Sequence, residues 1–196
     1  MVKTIFAYYL DMKKAAILFV MLLLVNFKNE AATEIYSTNE GTVTFRSEAV
    51  QELISATSNT LRGLIDSDQR TFAFKILIRS FYGFNNGLQR EHFNENYMES
   101  DLFPEAIFKG KIIEQIDLTK DGKYTVRAKG VLSIHGVEQE RIIKGNLTVQ
   151  KGIIQVETTF SILITDHNIK VPRVVHEKIA SEIEVKVTAI FKKVEE

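Results

Sequence analysis

The sequence predicts an all-β domain in which long antiparallel strands follow one another as a meander and curl into a closed or nearly closed barrel. Three observations predict it. From about Thr33 onward apolar residues recur with period two instead of 3.6. The longest alternating run, Tyr124 to Ile134, exceeds the usual strand of about five or six residues. Turn signals separate most of the runs, and closing such a meander removes its exposed edges.

The runs are read in order. Thr42 to Arg46 alternates apolar and polar residues, and Asn39-Glu40-Gly41 before it reads as a turn. Thr71 to Arg79 places Phe72, Phe74, Ile76 and Ile78 on one face and Lys75 and Arg79 on the other. Ala106, Phe108, Gly110 and Ile112 oppose Lys109 and Lys111. Tyr124, Val126, Ala128, Gly130, Leu132 and Ile134 alternate with Thr125, Arg127, Lys129 and Ser133. Val149, then Ile154, Val156, Thr158, Phe160, Ile162 and Ile164 continue the pattern, and Ile183, Val185, Val187, Ala189 and Phe191 close it. Asp66-Ser67-Asp68, Lys120-Asp121-Gly122, His135-Gly136 and Lys151-Gly152 supply the turns. Gly63, Gly110, Gly130 and Gly145 fall inside strands, where they weaken pairing but permit the sharp bends of a strongly curled sheet. Gly87 to Glu99 reads as a short helix or ordered loop, and Val171 to Ala180 as a second short helix with Pro172 in its first turn.

Composition narrows the functional classes. The 196 residues are 45% hydrophobic and 26% charged, which is ordinary for one globular domain plus a targeting segment. Lys+Arg and Asp+Glu are equal at 25 each, so no basic excess points to nucleic acid. Cysteine is absent, which removes disulfides, thiolate nucleophiles and Cys-based metal sites. Met12-Lys13-Lys14, the apolar run Ala15 to Val25 and the small residues Ala31-Ala32 read as a secretory signal peptide over residues 1–32, with Met12 an alternative start. As a helix that apolar run would span only about 16 Å against a bilayer core of about 30 Å. The domain is then 33–196, in a periplasmic or secreted protein.

Several landmarks in this order resemble the YceI-like family of exported polyisoprenoid-binding proteins, in particular its Bacteroidetes-type members. They are Val43-Thr44-Phe45-Arg46-Ser47, Leu61-Arg62-Gly63-Leu64-Ile65-Asp66, Phe72-Ala73-Phe74-Lys75-Ile76, Arg90 to Ser100, Phe103 to Gly110 and Gly130 to Val137. The resemblance implies an extended eight-stranded antiparallel lipocalin-like β-barrel with one or two short helices. It also implies an apolar lumen that holds an isoprenoid quinone or similar lipid chain. Two departures stand out: Glu91-His92 where the common pattern has Asp-His, and the extension Lys192 to Glu196, which reads as a solvated tail.

Catalytic chemistry finds little support. Glu91, His92 and Glu95 could chelate an ion only with a second pair of the same kind, and the other His-x-x-Glu, His135 to Glu138, begins on a hairpin turn, not on a helix. Phe93, Tyr97 and Met98 read instead as docking that segment, with Glu91, Asn94 and Asn96 tying loop backbone. No Gly-x-Ser-x-Gly turn accompanies Ser133-Ile134-His135, and no phosphate-binding glycine loop exists. The chain is expected to be neither an enzyme nor a metal protein, and to carry no cofactor beyond a bound isoprenoid or lipid. The expected lumen residues are Phe45, Phe72, Phe74, Ile76, Phe108, Tyr124, Val126, Phe160, Ile162 and Phe191. Burying a prenyl chain against them would gain roughly 0.8 kcal/mol per methylene without any specific hydrogen bond. Two alternatives stay open at this stage: a core packed solid, and a ligand-free interaction or stress-response module on the same barrel. Contact with a membrane surface and a dimer are both compatible with the carrier reading.

Overall fold

The computed structural model describes residues 34–195, so the expected signal peptide lies outside the described residues. Eight strands run β1 (Ile35–Glu48), β2 (Leu53–Asp66), β3 (Thr71–Leu77), β4 (Glu105–Ile112), β5 (Gly122–Ile134), β6 (Val137–Gln150), β7 (Ile153–Leu163) and β8 (Glu182–Lys193). Each pairs antiparallel with the next, and β8 returns to β1, which closes the barrel. This up-and-down order sends four connections to one end of the barrel's axis and three to the other. The β1–β2 turn, the β3–β4 crossover, the β5–β6 turn and the β7–β8 connection share one end, called the mouth below. The β2–β3, β4–β5 and β6–β7 connections share the other with the C-terminus.

The alternation turns apolar side chains inward and charges outward. Phe72 and Ile76 are buried while Lys75 is exposed, and Val126 is buried between exposed Thr125 and Arg127. That is the inverse of a membrane-spanning barrel, whose apolar band faces lipid. Two hairpin turns use left-handed backbone at both central residues, the two-residue geometry whose twist matches the strands: His135 (φ 51°) with Gly136 (φ 72°), and Lys151 (φ 51°) with Gly152 (φ 72°).

Three strands depart from simple alternation. In β1 the inward phase changes from Tyr36 to Gly41 and Val43, and in β2 it changes from Ser58 to Leu61. The register explains both: one extra residue in β1 between Thr38 and Gly41 is offset by one extra in β2 between Ser58 and Leu61. Asn39-Glu40-Gly41 is therefore a bulge inside β1, not the turn its composition predicts. In β6 the half nearest the mouth leaves β7, whose pairing covers only Gly145–Gln150 with Ile153–Thr158. Side chains bridge the seam instead: Arg141 Nη2 donates to the Ser161 carbonyl at 2.6 Å and Gln139 Nε2 to the Asp166 carbonyl at 2.9 Å.

The β4–β5 contact depends on two glycines paired across the strands, Gly110 and Gly130. A Cβ on Gly110 would fall 2.1 Å from the Lys129 carbonyl oxygen, and one on Gly130 would fall 2.3 Å from that of Lys109. The space above Gly130 is occupied by the Phe108 ring, whose edge lies 3.0 Å from that hypothetical Cβ.

Two further expectations are corrected. Val171 to Ala180 holds a single 3-10 turn, Arg173–Val175, and no helix. Pro172 opens that turn, but the β-branched valines behind it do not favour its propagation into a helix. The first two residues of the expected tail are strand: Lys192 pairs with Ile153 and Lys193 with Tyr36, and Lys193 Nζ reaches Glu34 Oε1 at 2.6 Å, whereas exposed Val194 and Glu195 lie beyond the strand.

Candidate functional site

The inward faces of the strands do not fill the barrel. They surround a cavity of about 550 Å³, inside the range of about 300–1,000 Å³ typical of ligand pockets. Its wall is almost entirely apolar and draws on every strand, for example Val43, Ile65, Ile76, Phe108, Val126, Leu147, Val156 and Val185. Fully buried Leu118, Ile154 and Val149, with Tyr36 at 2% exposure, belong to the hydrophobic core but not to that wall. They fill the end away from the mouth. Leu118 comes from the β4–β5 loop, so that loop folds under the barrel as a floor. At the other end half-exposed Leu88 lines the cavity, which therefore reaches the surface.

Two aromatic groups line the tube. Deep in it, Phe72 stacks on Phe74 at 5.2 Å and meets Phe108 at 4.9 Å, while Phe74 meets Phe191 at 5.6 Å. Gly63 makes room for this packing, since a Cβ there would lie 2.4 Å from the Phe74 ring. Near the mouth Phe45 stacks on Phe93 at 5.2 Å, and Phe81 and Phe84 pack within 6 Å of both, at 5.4, 5.9, 5.9 and 5.1 Å.

The mouth group is held by the β3–β4 crossover. Asn86 caps the helix α1 (Gly87–His92), its side chain accepting from the Gln89 amide at 2.9 Å. The chain then widens into a π-helical turn, Phe93–Tyr97. This geometry aims Phe93, Tyr97 and buried Met98 at the lumen. Asn94 Nδ2 donates to the Arg90 carbonyl at 2.8 Å, whereas Glu91 and Asn96 are exposed and make no such tie among the described residues. Burial raises the Tyr97 phenol above its ordinary pKa, so it faces the lumen uncharged.

Of the ten residues expected in the lumen, nine line the cavity: Phe45, Phe72, Phe74, Ile76, Phe108, Val126, Phe160, Ile162 and Phe191. Tyr124 does not. It points inward below the cavity, and its hydroxyl donates to the Lys120 carbonyl at 3.0 Å beside the floor loop. Sequence reasoning missed the lining from β2 and β6 and from the connection after β7, including Ile54, Leu147, Ile169, Val171 and Ile179. Their signal was weak because phase changes or short loops interrupt the alternation.

The metal-site candidate dissolves in the geometry. His92 lines the lumen, while Glu91 and Glu95 edge a separate outer groove with Arg79 and Arg90. Among the described residues no group of three or more His, Asp or Glu could hold an ion. A family model for the YceI-like domain matches residues 10–191. The chain belongs to the YceI-like family. Solved structures share the barrel at low identity. A polyisoprenoid binding domain from Saccharophagus degradans, implicated in plant cell wall breakdown, aligns with TM-score 0.72 and 12% identity over 83% of this chain and 99% of that one. Burkholderia cenocepacia BcnA gives 0.63 and 14% over 76% and 95%, and a Campylobacter jejuni YCEI protein 0.52 and 17% over 67% and 78%. At these identities the likeness establishes the fold. No curated protein matches the chain. This member of the YceI-like family thus pairs the family barrel with an open apolar lumen.

Proposed function

We propose that the protein is an exported, non-catalytic lipid carrier that holds an isoprenoid or other long apolar chain in the lumen, an isoprenoid quinone being one fitting occupant. The observation that carries this reading is the apolar cavity of about 550 Å³ left open by side chains that could have packed it solid. An empty space of that kind forfeits dispersion contacts along its whole lining, and a hydrocarbon chain restores them. Membership of the YceI-like family and the barrel's likeness to a polyisoprenoid binding domain support the same reading. Its polar lining is mostly already engaged: Ser47 accepts from the Ala180 amide, Glu52 from Gln89, and Thr158 donates to the Lys144 carbonyl. Affinity then rests on burial, at roughly 0.8 kcal/mol per methylene.

Mass spectrometry of an organic extract from protein purified without detergent tests the proposal. A long-chain or prenyl lipid recovered in near-stoichiometric amount is the expected result. An extract free of lipid, from protein that also takes up no added prenyl quinone, would refute it.

A further inference from the structure

Three segments meet at the mouth, and each presents an apolar side chain to the outside. Val50 on the β1–β2 turn is 93% exposed, Val174 on the β7–β8 connection 89%, and Leu88 on α1 59%. Hydrogen bonds tie the three segments into one rim. The Gln51 amide donates to the Glu177 carbonyl at 2.8 Å, and the Ala180 amide to Ser47 Oγ at 2.9 Å. Gln89 Nε2 donates to Glu52 Oε1 at 2.6 Å, and Asn85 Nδ2 to the Leu53 carbonyl at 3.0 Å.

The β7–β8 connection has the composition of an interfacial segment. From Ile169 to Ala180 apolar residues are interleaved with Lys170, Arg173 and Lys178, against a single acid, Glu177. All three cations are exposed and make no ion pair among the described residues. Ile169, Val171, Val175 and Ile179 of the same segment line the lumen, and exposed Lys178 edges it where it opens to the surface. One stretch of chain is therefore wall on its inner side and a basic rim with an apolar tip on its outer side.

We infer that this rim docks on an anionic lipid leaflet, with Val174, Val50 and Leu88 entering the acyl boundary and Lys170, Arg173 and Lys178 meeting the headgroups. The inference rests on the carrier reading and deepens it, because a mouth seated on a bilayer lets an apolar chain move between leaflet and lumen without crossing water. Within this segment the unpaired cations favour an anionic leaflet over a neutral one or an apolar protein face, and of the acids beside the β1–β2 turn Glu48 is paired with Arg46 at 3.3 Å while Glu52 accepts from Gln89.

The absence of tryptophan makes a direct test available. An indole introduced by Val174→Trp reports on its own position alone, and Ile153→Trp, at the start of β7 beside the turn at the opposite end, is the matched control. Vesicles of phosphatidylglycerol with phosphatidylcholine are expected to shift the Val174→Trp emission to the blue, with quenching by brominated acyl chains, and to leave Ile153→Trp unchanged. Lys170→Gln and Arg173→Gln are expected to weaken that response roughly fivefold per cation lost. No blue shift with Val174→Trp, an equal shift at both ends, or an equal response to pure phosphatidylcholine would overturn the inference. If no vesicle responds but lipid is still extracted from the protein, docking fails and the carrier reading stands. If vesicles respond but no lipid is ever bound, the carrier reading fails and the docking surface remains.

Discussion

The ring of His167 is wholly buried beneath the mouth, with Nδ1 bonded to the Val137 carbonyl at 3.2 Å and no partner for Nε2 among the described residues. Burial holds its pKa below the ordinary imidazole value, outweighing the opposing pull of the Val137 and Ile134 carbonyls and of Asp166. The folded chain thus keeps this ring neutral where the unfolded chain protonates it. Its contribution to stability is complete above about pH 6.5 and declines as the pH falls, by at most about 1.4 kcal/mol per pH unit. The urea midpoint of the wild type should consequently fall more between about pH 7.5 and 5.5 than that of His167→Gln. Equal slopes would mean that the buried ring does not govern acid sensitivity. Neighbouring His135 is tied differently, its ring nitrogens reaching the His167 carbonyl at 3.0 Å and Glu99 Oε2 at 2.8 Å.

Among the elements, β3, β4, β5, β7 and β8 were legible because each keeps one inward phase from end to end. Phe72, Phe74 and Ile76, or Val126 and Leu132, announce themselves by spacing alone. β1 and β2 hid part of their length because paired bulges reverse the phase, so that Asn39-Glu40-Gly41 mimics a turn. β6 was obscure for another reason. Gln139 and Arg141 share the register of inward-facing Leu132 and Gly130, and they are polar because they bridge a seam that backbone pairing does not close. The crossover after β3 was readable as an ordered segment but not as a π-helical turn, since that geometry follows from docking Phe93 onto Phe45. Phe93→Ala removes the ring at the centre of the mouth group and should lower stability by roughly 2 kcal/mol, below the full value for a buried aromatic because Phe93 is half-buried. Hydrogen exchange should quicken in 84–98 and hardly change in β5. A uniform change across the barrel would show that the crossover is not a separate packing unit.

For the molecule as a whole, alternation dictates that the barrel interior is apolar but not whether it is full. The same sequence of inward residues is compatible with a solid core, because volume depends on strand curl and on which inward positions are small. Ala106, Ala128, Gly145 and Ala189 all line the cavity, and with the floor set by Leu118 they leave the space open toward the mouth. Refilling that space separates a carrier from an inert scaffold. Ala106→Phe and Ala128→Phe each place a ring where the wall is half-buried and lines the cavity. In a carrier both substitutions should reduce the lipid recovered with the protein while leaving the unfolding free energy unchanged, or raising it by roughly 0.5–2 kcal/mol as filled cavities commonly do. Lipid recovery that is untouched by either ring would place the bound chain outside the lumen. A large loss of stability would mean that the interior has no room to give, and the carrier reading would fall with it.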